Sequence, residues 1–116
     1  MSGIENDTMT TNAMQIIMLA GDARSSCTEA LKQIAEMNMG KAAEFIKEAD
    51  QQIAQAHHIQ TDAIQSTIGG DSQEYSLLFS HAQDTLMTIY SEIHMTKRLM
   101  SVFEGLDSRL KILENK

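Results

Sequence analysis

No proline interrupts the 116 residues, and apolar side chains recur three or four positions apart along most of the chain. That spacing is the signature of a helix with one buried face, and without proline little stops such a helix once it has started. Helix-ending residues gather at only two places. One is Asn38-Met39-Gly40, where Asn and Gly tolerate the left-handed conformation that closes helices. The other is Gly69-Gly70, followed by Asp71-Ser72-Gln73-Glu74, where Asp71 with Glu74 three residues on reads as a capping box. The breaks predict a polar tail over about 1–8 and helices over about 8–37, 41–68 and 72–114.

Each segment carries an apolar stripe. The first reads Met9, Ala13, Ile16, Ala20, Ala23, Cys27, Ala30, Leu31 and Ile34. The second reads Ala42, Ile46, Ala49, Ile53, Ala56, Ala63 and Ile64, and the third Leu78, Ala82, Leu86, Ile89, Ile93, Met100, Phe103 and Leu110. Connections this short allow only antiparallel neighbours. The expectation is all-α: one domain over 1–116, folded as an up-down-up three-helix bundle. At 1.5 Å per residue the third helix, about 65 Å long, overhangs the other two, which measure about 45 and 42 Å. Its far end frays or packs on another subunit.

Composition narrows the function. Nine Lys and Arg against sixteen Asp and Glu give a net charge of −7 and a pI near 4.9, which repels a phosphate backbone and argues against nucleic acid as a partner. The single cysteine, Cys27, cannot form an intrachain disulfide and fits a reducing cytoplasm. The first ten residues lack a basic leader segment. The most apolar run, 13–21, contains Gln15 and stops at Asp22, so no membrane span is expected.

Polar residues that break the pattern carry the functional information. Gln60 projects near the centre of the second stripe, with His57 at its edge and Thr61 further round. A buried amide needs a partner, which is either an interhelical hydrogen bond fixing register or a site group. On the third helix Leu77, His81, Asp84, Thr88, Ser91 and Met95 form a second seam, beside the core face, at heptad spacing. It is either a solvated face or a polar site shared with another helix or subunit. No glutamate has a histidine three residues on, so a carboxylate di-metal bundle is excluded, and the glycine pair lacks a phosphate-loop pattern. His58 and His94 read as exposed helix residues, and the nine methionines as fillers of core gaps.

At these residues the chain resembles the EIIA component of the lactose/cellobiose (N,N′-diacetylchitobiose) branch of the bacterial phosphoenolpyruvate-dependent sugar phosphotransferase system. Ala20-Gly21-Asp22-Ala23-Arg24-Ser25 is similar to the family's first-helix segment. Ala56-His57 with Gln60-Thr61 matches its second-helix motif, and His81-Ala82-Gln83-Asp84 with Leu86-Met87-Thr88 its third-helix signature. Three motifs in register are specific where one is not.

The resemblance implies a phosphocarrier. His81 would accept phosphate from the phosphohistidine of the carrier protein HPr, as a tele-phosphohistidine, and pass it to a cysteine of EIIB. The sugar is handled by the membrane component EIIC. The resemblance further implies a homotrimer with Asp84 gathered at the three-fold axis around a divalent cation, usually magnesium (Mg2+). Gln83 is implied as a nearby polar group, while Gln60 or His57, on a neighbouring helix, are candidates for the phosphate pocket. Many members carry a second histidine after the motif's aspartate, where this chain has Thr85. The C-terminal extension past Phe103 also exceeds the family's usual length. The competing reading is a non-catalytic helical interaction module derived from the same family.

Overall fold

The computed structural model describes residues 2–69 and 76–116, with side chains over 8–66 and 76–116. Three helices account for nearly all of them: α1 Ser2–Ala35, α2 Met39–Gly69 and α3 Leu77–Glu114. They pack up-down-up into a rod of 73 × 18 × 18 Å. The all-α bundle is as expected. Helix α1 starts earlier than the polar composition suggested, at Ser2. The predicted Asp71 cap lies outside the described residues. Helix α3 opens instead at Ser76, whose side chain accepts the backbone N–H of Phe79 at 3.0 Å.

The first turn differs from the expected left-handed Asn or Gly. Met37 is the residue with positive φ, 61°. The Met37 N–H donates to the Ile34 carbonyl at 2.9 Å and the Asn38 N–H to the Gln33 carbonyl at 2.8 Å. That pair of bonds is a Schellman motif, satisfying two of the carbonyls that α1 would otherwise leave unpaired. Asn38 follows as the start of α2, its carbonyl accepting from Ala42 at 3.1 Å.

The core is narrow and rich in alanine. Ala13, Ile16, Ala20, Ala23 and Cys27 of α1 meet Ala49, Ile53, Ala56 and Ala63 of α2 and Phe79, Ala82, Leu86, Ile89 and Ile93 of α3. Small side chains let the helix axes approach closely. The predicted stripes mostly hold, with exceptions at their edges. Leu31, Ile64 and Leu110 are exposed, and Phe79 rather than Leu78 is the buried residue at the start of α3.

Polar bonds set the register. The Arg24 guanidinium donates two hydrogen bonds to Glu92, at 3.0 and 2.8 Å, and Cys27 Sγ lies 2.9 Å from Thr96 Oγ1. Both link α1 to α3 with a constant offset, as parallel neighbours require. Asp50 pairs with Lys97 at 2.8 Å between α2 and α3, and Ser26 donates to Gln52 Oε1 at 2.9 Å between α1 and α2. These contacts place His81 level with Ala13 and Ser66, and Lys97 level with Asp50.

Candidate phosphoryl-acceptor face

The seam on α3 is not beside the core but almost opposite it. At 100° per residue, the line Leu77, His81, Asp84, Thr88, Ser91 and Met95 points about 160° away from the line of Phe79, Ala82, Leu86, Ile89 and Ile93. All six seam residues are exposed. Ala82, Leu86, Ile89 and Ile93 of the expected stripe are the buried residues, so the spacing itself sets the seam almost opposite them; Phe79 in place of Leu78 moves the stripe by only about 20°.

His81 and Asp84 therefore stand one turn apart on an open surface. The His81 side chain is exposed, and no hydrogen bond or ion pair holds its ring among the described residues. Thr85, which departs from the second histidine of many members of the resembling family, is half-buried and donates its hydroxyl to the His81 carbonyl at 2.9 Å. It braces the backbone beneath the imidazole. Gln83 is half-buried next to this pair.

The second-helix groups are not brought to His81 within the subunit. The Asp50–Lys97 register puts Gln60 level with Met87, about 9 Å along the axis from His81, and His57 about 13 Å away. His57 is exposed. Gln60 is half-buried, and its Oε1 is fully enclosed with no hydrogen-bond partner among the described residues. Neither of the two alternatives for Gln60, an interhelical bond or a contact to His81, is realised by this oxygen. Periodicity placed the residue correctly on an inward face; it could not supply the register.

His58 and His94 are exposed as expected, His58 3.3 Å from Asp62 and His94 edge-on to Tyr90 at 4.5 Å between ring centres. Among the described residues no three His, Cys, Asp or Glu side chains cluster to hold a metal ion. Along the seam of α3, Asp84 supplies the one carboxylate. A magnesium site fits this surface only where copies of Asp84 converge.

Two pairings were not foreseen. Arg24 stands in the sequence only as part of a motif and Thr96 lies on no predicted stripe, yet Thr96 is buried and donates to the Glu92 carbonyl at 2.8 Å. Glu92, holding Arg24 through its side chain and Thr96 through its backbone, ties α1 to α3. Two glutamate oxygens accepting from one guanidinium raise the Arg24 pKa above its ordinary value, mainly through the hydrogen bonds.

Fold and surface together define a class: an antiparallel three-helix bundle that presents a histidine and an aspartate on the outer face of its last helix. A family model described as the lactose/cellobiose-specific IIA subunit of the PTS system matches residues 11–104. The lichenan-specific phosphotransferase enzyme IIA component of Bacillus subtilis is 33% identical over 99 residues, covering 85% of this chain and 90% of that protein. The lactose-specific EIIA component of Lacticaseibacillus casei is 35% identical over 101 residues, 87% of each. Among solved structures, the cellobiose-specific enzyme IIA from Bacillus anthracis superposes with a TM-score of 0.79 at 34% identity, covering 84% of this chain and 90% of that one. The Escherichia coli IIA(chitobiose), solved in complex with HPr, superposes with a TM-score of 0.73 at 28% identity over 85% and 96%. The chain belongs to the lactose/cellobiose IIA family of the sugar phosphotransferase system. Among its described residues, no helix is long and apolar enough to cross a membrane.

Proposed function

We propose that the chain is a phosphocarrier whose acceptor is His81. The observation that carries this reading is the placement of His81: exposed, one turn from Asp84, and with no ring partner among the described residues, in a chain of this family. A neutral imidazole has a nucleophilic ring nitrogen near physiological pH, and the N–P bond it forms stays labile enough to be passed on. The His81 Nε2 lone pair attacks the phosphorus of phospho-HPr; the donor's P–N bond breaks and its electron pair returns to the donor ring. In the next step an EIIB cysteine attacks the same phosphorus, and His81 recovers its lone pair. HPr as donor draws support from the related IIA(chitobiose) solved with HPr.

An exposed acceptor suits a relay, because two partners must reach one atom in turn. His81 lies in the second turn of α3, past the first-turn N–H groups, so the helix end does not cradle the phosphate. Polar groups from adjoining copies or from the partner proteins complete the pocket, with Gln83 the nearest candidate on this chain. Gln60 and His57 reach it only if the second helix of another copy is displaced along the axis.

The assembly belongs to the same reading. Three copies meeting along the seam form a homotrimer with three Asp84 carboxylates at its axis. A divalent cation such as Mg2+, held by those oxygens and by water, would offset their mutual repulsion. Thr85, in place of a second histidine, is consistent with one phosphorylated residue per subunit.

The test is incubation with phosphoenolpyruvate, enzyme I and HPr, followed by mapping of the acid-labile phosphate. Label on His81 that is lost in His81→Ala, and kept in His57→Ala, His58→Ala and His94→Ala, is the expected result. No label in the wild type would favour the non-catalytic interaction module.

A further inference from the structure

Charge is divided along the rod. The Arg24–Glu92 and Asp50–Lys97 bonds set residues 24, 55 and 92 of the three helices at one level. Beyond that level, towards the α1–α2 turn, residues 24–55 and 92–116 carry nine Lys and Arg against nine Asp and Glu, and so balance. On the His81 side, 2–23 of α1, 56–69 of α2 and 77–91 of α3 carry Glu5, Asp7, Asp22, Asp62 and Asp84, with no Lys or Arg at all. The connection from α2 to α3 adds Asp71 and Glu74 in the sequence. The whole net charge of −7 therefore belongs to the end that holds His81.

No cation of the chain stands ready near that histidine. The nearest Lys or Arg along the axis is Arg24, about 16 Å from His81. Glu92 already holds its guanidinium through both carboxylate oxygens, at 3.0 and 2.8 Å. Lys97 follows at about 24 Å, and it pairs with Asp50 at 2.8 Å. Helix ends offer little in exchange. At the His81 end α1 and α3 begin and α2 stops, a net of about half a positive charge against seven carboxylates. In the assembly proposed above, three such ends lie side by side. A divalent cation shared by three Asp84 carboxylates leaves one negative charge of that cluster uncancelled.

A phosphoryl group brings about 1.5–2 further negative charges. Its exchange with phospho-HPr breaks one N–P bond and forms another of the same kind at His81, so the covalent change nearly cancels. The surroundings of the two phosphates then decide where the group rests. On this chain those surroundings are negative, and in dilute salt, where screening extends over about 20 Å, several like charges act on the phosphate together.

We propose that the cation-free end holds phospho-His81 at a raised transfer potential, so that the free chain gives its phosphate up rather than storing it. This property rests on the carrier role of His81 proposed above and gives that role a direction. It comes from the charge distribution of half the rod and not from a residue that touches the phosphate.

The test is the equilibrium constant for phosphate exchange between HPr and the full chain, approached from both sides. An equilibrium, unlike a rate, does not depend on how well the two proteins dock. Asp22→Lys with Asp62→Lys reverses two exposed carboxylates of the His81 end, neither of them on the seam. At about 20 mM salt this variant should take up phosphate with a constant about three- to fivefold above the wild type, and at about 0.5 M salt the two should agree. The ratio of the two constants cancels whatever salt does to HPr. Asp22→Asn with Asp62→Asn should show a smaller rise of the same sign. Glu44→Lys with Glu48→Lys makes the same change of charge on exposed residues of the balanced end. Being about 27 Å or more along the axis from His81, it should stay within about twofold of the wild type. Lysine variants of the His81 end that match the wild type in low salt, or a far-end variant that responds as strongly, overturn the raised potential and leave His81 as the carrier. Absence of label on His81 in the wild type overturns the carrier role itself, and the raised potential with it.

Discussion

Arg24 holds both carboxylate oxygens of Glu92, at 3.0 and 2.8 Å, across 68 residues of chain. Half of the Arg24 side chain and 43% of that of Glu92 remain exposed. An ion pair this open contributes below about 1 kcal/mol, even in a bidentate geometry, so Arg24→Ala should lower the melting temperature by only a few degrees. The sign with pH follows from the direction of the shift. A raised folded-state pKa means that the guanidinium's contribution is fully present at neutral pH and is lost only in strong alkali. Thermal unfolding of the wild type and Arg24→Ala in low and high salt checks this; a gap that does not shrink with salt would contradict it.

Met37 sits in a left-handed conformation that costs a residue with a Cβ about 1–2 kcal/mol. Glycine adopts it freely, although it gives the unfolded chain more entropy. Met37→Gly should therefore stabilise the bundle by about 0.5–1 kcal/mol, read as a higher urea midpoint at unchanged slope. A lower midpoint would show that packing by the half-buried Met37 side chain outweighs the backbone strain.

Gln60 keeps an enclosed, unpaired Oε1. An unmet buried acceptor costs about 1–3 kcal/mol, and methionine matches glutamine in shape without that acceptor. Gln60→Met should raise stability by about 1 kcal/mol and leave phosphorylation of His81 intact. Loss of phosphorylation in a stable variant would mean that another copy brings Gln60 to the acceptor.

In the proposed trimer, Asp84 would link assembly to metal. Three convergent carboxylates oppose association unless a cation joins them, so chelator should weaken the wild-type trimer. Asp84→Leu replaces those charges with apolar groups and should assemble without metal. Sedimentation with and without EDTA measures both effects. A trimer indifferent to chelator would remove the metal from the proposal, and a monomer in excess magnesium would remove the axis.

Taken by itself, the sequence determined what local physics controls. Apolar spacing near 3.6 and the absence of proline specified three helices, and the buried residues of α1 and α2 were nearly all on the stripes so identified. The three motifs identified the family, because residue types at fixed spacings survive in one dimension. Tertiary structure decided the rest. The opposition of the His81–Asp84 line to the core is the exception: Ala82, Leu86, Ile89 and Ile93 lie about 150° round the helix from it, a separation that the 100° step per residue already sets in the sequence. The separation of Gln60 and His57 from His81 depends on how far α2 slides against α3, which Asp50–Lys97 and Arg24–Glu92 settle. Contacts between residues almost 50 and 70 positions apart leave no periodic trace in the chain, so only packing could disclose them.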